Sequence, residues 1–263
     1  MKILKCDNAF ASWQETLETT KGIGTFLKEI EAAKAREIYL VLSVLATGKN
    51  MKLAEKVFEE IETEMKNEIK IFNEPEPKEL KEWLGIMSGF VNNVLGCATT
   101  KLPEIVLDRE LDEAAMYSHY ERKIMIASAE GYGLPNLVAH EYVHHLQLST
   151  ENPGVWYLNP VSREGLAECS AAIATRRYGL KSRDYAAVNY VPAKLAVDVA
   201  TCLGQLGNGL HGSIRRMLID KEQELGTTAL LIAEKRHGTG IYRDMIRAEK
   251  PGEMLVEMLG GRK

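Results

Sequence analysis

The chain has no basic excess, no paired cysteines and no long apolar run, and each absence removes a class of function. Its 33 Lys and Arg are outnumbered by 37 Asp and Glu, giving a net charge of -4. A protein that neutralises many phosphates needs the opposite balance, which argues against a general nucleic-acid binder. The Arg176-Arg177 and Arg215-Arg216 pairs read instead as solvated helix positions. The four cysteines, Cys6, Cys97, Cys169 and Cys202, are widely spaced with no CxxC pair. That pattern suits buried thiols in a reducing compartment better than a zinc knuckle or a disulfide scaffold. In MKILKCDNAF, Lys5 and Asp7 interrupt the stretch that a secretion signal would keep apolar, and no apolar span elsewhere approaches about 18 residues. The expectation is a soluble cytoplasmic protein with neither nucleic acid nor membrane as partner. There is no internal repeat and no low-complexity tract.

What is present is an ordinary globular composition, 263 residues with 45% hydrophobic content, enough for a substantial core without staples. From Ser12 to about Gly96 the apolar spacing is helical, with Phe26, Ile30 and Ala33 leading into one segment and Leu53, Val57, Ile61 and Met65 in another. NEPEPKEL, at 73–80, is a proline-punctuated joint before a helix carrying Trp83, Ile86, Met87 and Phe90. The period then shortens: EIVLD at 104–108 and KIMIAS at 123–128 read as strands. Pro135 opens a helix, and a second helix is expected from about Ser162 to Tyr178, stopping at Gly179. Beyond it the chain is again mainly helical, broken at Pro192, at GQLGNGLHG and at HGTG. The fold class is therefore α+β, mainly helical, with a small sheet packed on the Pro135 helix between N- and C-terminal helical regions.

That helix holds NLVAHEYVHHLQL, which concentrates three of the six histidines. His140, Glu141 and His144 form HExxH; on a helix the two histidines share a face one turn apart, so both imidazoles reach one ion. Glu141 projects beside them, where it can hold a metal-bound water and take its proton. His145 is rotated away and reads as a supporting or surface residue. A hydrolytic zinc normally takes three protein ligands and keeps one position for water. Glu164, which opens EGLAE after nineteen intervening residues, supplies the third. Glu168, one turn further on the same face, is placed to accept a hydrogen bond from a ligand histidine and fix its tautomer.

HEYVHH followed by EGLAE resembles the gluzincin zinc metallopeptidases, the thermolysin-like and aminopeptidase-like enzymes. The resemblance covers about residues 103–178. It implies a zincin-like catalytic core over 99–180; the helical spacing on either side gives helical regions over 1–98 and 181–263, all compatible with one compact domain. It also implies one Zn²⁺ per chain on His140, His144 and Glu164, Glu141 as base, Glu168 orienting His140, and a peptide or protein as substrate. KIMIAS matches the position of the edge strand that such enzymes run beside the active-site helix to pair with substrate. They further use a downstream His or Tyr to stabilise the oxyanion, for which His237 and Tyr242 in RHGTGIYRD, and His211 in GLHGS, are the candidates. His119 in YSHYER is expected to be exposed.

Two rival readings remain open. Peptide deformylases pair an HExxH helix with an upstream cysteine, and Cys97 lies at about that distance, but the long helical N-terminal region and Glu164 do not fit them. A non-catalytic, zinc-stabilised protein-binding module is the other. Structural zinc is usually closed by four ligands, commonly thiolates, which the scattered cysteines do not offer.

Overall fold

The structure, a computed structural model, describes residues 80–98, 101–127, 133–179 and 222–260, together with most residues between 33 and 60. The described residues form a mainly helical α+β fold with a single three-stranded sheet. Between 33 and 60 the described backbone is helical apart from a bend at Thr47, and it buries Ile38, Val41, Leu42, Leu45 and Ala54. Helix α1 (Leu80–Leu95) buries Trp83, Leu84, Met87, Val91 and Leu95, a stripe at three- and four-residue spacing. It ends at Gly96, whose φ of 61° lets the Cys97 amide donate to the Asn92 carbonyl at 3.0 Å. A residue without Cβ makes this left-handed closing turn at little cost.

Strands β1 (Glu104–Leu107), β2 (Ala115–Ser118) and β3 (Lys123–Ile126) lie in the order β1-β3-β2. β3 runs parallel to β1 and antiparallel to β2, which aligns Ile105, Ile124 and Tyr117 across the buried face. This corrects the sequence expectation for KIMIAS. Its strand is the central one, hydrogen-bonded on both sides, and so has no edge to offer; β2, in a stretch not read as a strand, is an edge of the sheet. His119, in the turn after β2, is half-buried and not exposed.

Helix α2 (Leu134–Leu148) has Pro135 in its first turn and is buried around almost its whole circumference. It packs against α1, β2 and β3. After the short α3 (Gly154–Leu158), α4 (Pro160–Arg177) folds back along α2, and the chain leaves it at Gly179 with φ 88°. Helices α5 (Glu222–His237), α6 (Ile241–Ile246) and α7 (Pro251–Met258) complete the described chain, with Gly238 at φ 79° breaking α5 from α6 inside HGTG. The expected joint at 73–79 and the breaks at Pro192 and GQLGNGLHG lie outside the described residues. α4 and α5 cross at Gly165 and Gly226, where a Cβ on either glycine would collide with backbone of the other helix. One continuous core runs from Ile38 to Leu259. Among the described residues, no helix is long and apolar enough to cross a membrane.

The first turn of α4 is closed from far away. Asn159, its N-cap residue, makes no side-chain cap and donates instead to the Val155 carbonyl. The exposed amides go to Glu37, whose carboxylate accepts from Val161 N at 2.9 Å, Ser162 N at 3.1 Å and Ser162 Oγ at 2.6 Å. Burial pushes the Glu37 carboxyl up to about 7, although the hydrogen bonds from Ser162 and Val161 oppose the shift. Because the folded-state value is raised, the folded chain binds the extra proton between about pH 4.5 and 7. Stability from this group is full below the unfolded value and is lost as pH rises through about 7. A shift of this size corresponds to about 3 kcal/mol. The stability of the parent relative to Glu37→Gln is therefore expected to fall by about that amount between pH 4.5 and 8, read from denaturant midpoints of the two proteins. A pH-independent difference would show that Glu37 does not titrate in this window.

Candidate metal centre

Because α2 is buried all round, its ionisable residues need partners. His140 and His144 face each other: their rings stand 4.7 Å apart at 82°, with the two Nε2 atoms 3.1 Å from each other. α4 brings Glu164 to the same point, its Oε2 lying 3.5 Å from His140 Nε2 and 3.4 Å from His144 Nε2. The three ligand atoms all fall within 4.8 Å of one another.

The outer nitrogens decide what those inner ones can do. His140 Nδ1 lies 2.8 Å from Glu168 Oε2, and His144 Nδ1 lies 2.8 Å from Gln147 Oε1. A carboxylate accepts only. Gln147 must donate its amide nitrogen to the Arg163 carbonyl, 2.9 Å away, which leaves its oxygen as acceptor. Both Nδ1 atoms therefore carry hydrogen, and in the neutral rings both Nε2 lone pairs face each other and a carboxylate oxygen. Three converging electron pairs with no hydrogen between them are a donor set for a cation, and two imidazoles with one carboxylate suit Zn²⁺.

The electrostatics express the same demand for positive charge. Burial alone would push His140 down, yet its bonds to Glu164 and Glu168 and the charges of Glu168 and Glu141 hold it well above the usual histidine range. Burial would likewise raise Glu164, but the neighbouring histidines and Arg163 hold it well below the usual carboxylate range. Glu141, itself buried, is raised by desolvation against the pull of both histidines.

His140, Glu141, His144, Glu164 and Glu168 all line one cleft of about 740 Å³. Its other wall includes β2. The Ala114 carbonyl accepts from Ala127 N, just past the end of β3, so by alternation the backbone groups of Ala115 and Tyr117 turn to the other edge, the side of the cleft. A backbone hydrogen bond from Tyr117 reaches Glu141. His145 is buried, not at the surface: it holds Tyr117 Oη at 2.9 Å through Nδ1 and the Lys101 carbonyl at 3.1 Å through Nε2.

Of the downstream candidates, the two described ones are not brought to this cleft. Tyr242 is fully buried and donates to Glu234 Oε2 at 2.6 Å, while His237 Nε2 lies 2.9 Å from the Met258 carbonyl. Neither lines the cleft, and His211 lies outside the described residues. Cys97 does not line it either. Residues the sequence reading passed over do: Tyr157 and Arg163 at the rim, and Gln223 from α5, which donates to Glu168 Oε2 at 2.8 Å. Gln147 carried a usable signal, three residues after His144 on the same helix face. Gln223, 55 residues from its partner, carried none. Compared with models of known protein families, with curated proteins and with solved structures, the chain matches none of them.

Proposed function

We propose that this chain is a zinc-dependent metallopeptidase with a zincin-like core, hydrolysing peptide bonds. The observation that carries the reading is the pair of locked imidazoles whose free nitrogens converge with Glu164 Oε2 beside a buried carboxylate that is not itself a ligand. Zn²⁺ held by His140, His144 and Glu164 would supply Lewis acidity, polarising the peptide carbonyl and bringing the pKa of a coordinated water towards about 7. Glu141 accepts the proton of the attacking water and delivers it to the leaving amine. The outward amide and carbonyl of Ala115 and the carbonyl of Tyr117 pair with an extended peptide and align its carbonyl with Glu141, which holds the Tyr117 amide. A glutamate poised beside an incomplete, three-ligand set favours catalysis over a stapling role, since structural sites are closed.

The test is metal content by elemental analysis of the full chain beside Glu164→Ala. The parent is expected to hold about one zinc per chain, and the variant to lose most of it on dialysis, because two nitrogens alone form a weak site. A parent that emerges zinc-free after loading would end the metallopeptidase reading.

A further inference from the structure

His144 and Glu164 sit on different helices, yet one residue controls both. The Arg163 guanidinium donates twice to a single oxygen of Glu164, from Nε at 2.9 Å and from Nη2 at 2.8 Å to Oε1. The other oxygen, Oε2, is left to face the histidines. The backbone carbonyl of the same arginine receives the Gln147 amide, and the Gln147 oxygen accepts from His144 Nδ1. These bonds link His144 through Gln147 and Arg163 to Glu164, whose Oε2 faces His144 Nε2 at 3.4 Å. Gln147 is fully buried, and a buried primary amide is tolerated when both of its ends are paired, as they are here.

We propose that Gln147 and Arg163 are positioning residues for the metal centre: Gln147 selects Nε2 of His144 as the ligand atom, and Arg163 restricts Glu164 to one oxygen. The inference rests on the metal reading and adds to it. Neither residue touches the ion. By occupying Oε1, the guanidinium would disfavour a two-oxygen grip of Glu164 on an ion and so leave room for water. By fixing the hydrogen on Nδ1, Gln147 removes the tautomer in which His144 would turn an N–H towards the ion.

A plain structural tie between α2 and the start of α4 would use the same bonds, so the test separates the two roles. Gln147→Met removes both bonds at similar volume, whereas Gln147→Glu keeps an acceptor for His144 Nδ1 and sets a carboxylate oxygen, in place of the donor, against the Arg163 carbonyl. Zinc dissociation constants are measured against a competing chelator, and thermal midpoints are taken on the metal-free proteins. Gln147→Met is expected to bind zinc about 10- to 100-fold more weakly, and Gln147→Glu to recover most of that loss, while the two lose comparable stability. If affinity and stability fall together in both variants, or if Gln147→Met binds as tightly as the parent, the role of Gln147 is overturned.

Arg163→Met, at a half-buried position on the cleft wall, carries the test independently should Gln147→Met fail to fold. Its Co²⁺-substituted form is expected to keep about one metal per chain but to show weaker visible absorption than the parent, as a second Glu164 oxygen enters the coordination sphere. An unchanged spectrum overturns the role of Arg163. A parent that binds neither Zn²⁺ nor Co²⁺ overturns the metal reading itself, and this inference with it.

Discussion

Glu141→Gln is expected to lower peptide hydrolysis by about 10²- to 10⁴-fold, the range typical of a lost general base, while zinc stays near one per chain. The substitution keeps the side chain's shape and its capacity to accept the Tyr117 backbone hydrogen bond. What it removes is the capacity to take a proton. The atoms placed to hold a metal are those of His140, His144 and Glu164, so zinc content should be indifferent to the exchange. His144→Ala is the contrasting variant, since it removes a ligand and should lose metal and activity together. The pair is read with a fluorogenic peptide library and elemental analysis on the same preparations. A Glu141→Gln protein as fast as its parent would remove Glu141 from the mechanism whatever the metal content.

Gly226→Ala is expected to destabilise the fold by about 3 kcal/mol, near the upper end for overpacking. A Cβ there would enter the space of the Val161 carbonyl oxygen and the Gly165 backbone. Neither obstacle is a flexible side-chain tip, so the helices α4 and α5 must move apart. The consequence reaches the metal centre, because α5 carries Gln223 to Glu168 and Glu168 orients His140. Chemical denaturation should show the loss, and zinc affinity should fall with it. A fully stable Gly226→Ala protein would mean that the crossing is looser than these contacts require.

How much of this was legible in the sequence follows from how local each feature is. His140 and His144 are one helical turn apart, as are Glu164 and Glu168, so the two halves of the centre could be read from spacing on two predicted helices. The α4 stop at Gly179 and the break at Gly238 were legible for the same reason, since a positive φ falls where glycine does. β2 was not: AMYS has four residues, two of them turned outward, and nothing in it states that KIMI would lie between two partners. Strand order is a property of pairing, not of either strand. The choice of His237 and Tyr242 failed for a related reason. Their place near a glycine turn says nothing about direction, and they spend their polar atoms on Met258 and Glu234. The residues that do reach the cleft from elsewhere, Tyr157 and Gln223, come by packing alone.

The cap that Glu37 places on α4 has a further meaning for the molecule as an object of dissection. The helix that presents Glu164 and Glu168 begins with amides whose only carboxylate partner among the described residues arrives from more than a hundred residues upstream. A fragment cut to begin at residue 99 would keep every ligand and still release the first turn of that helix to water, one turn before Glu164. The segment that carries the candidate metal centre is therefore not a portable cassette. Its geometry is a property of a chain that returns to itself, and the upstream helical segment that carries Glu37 belongs to the same unit.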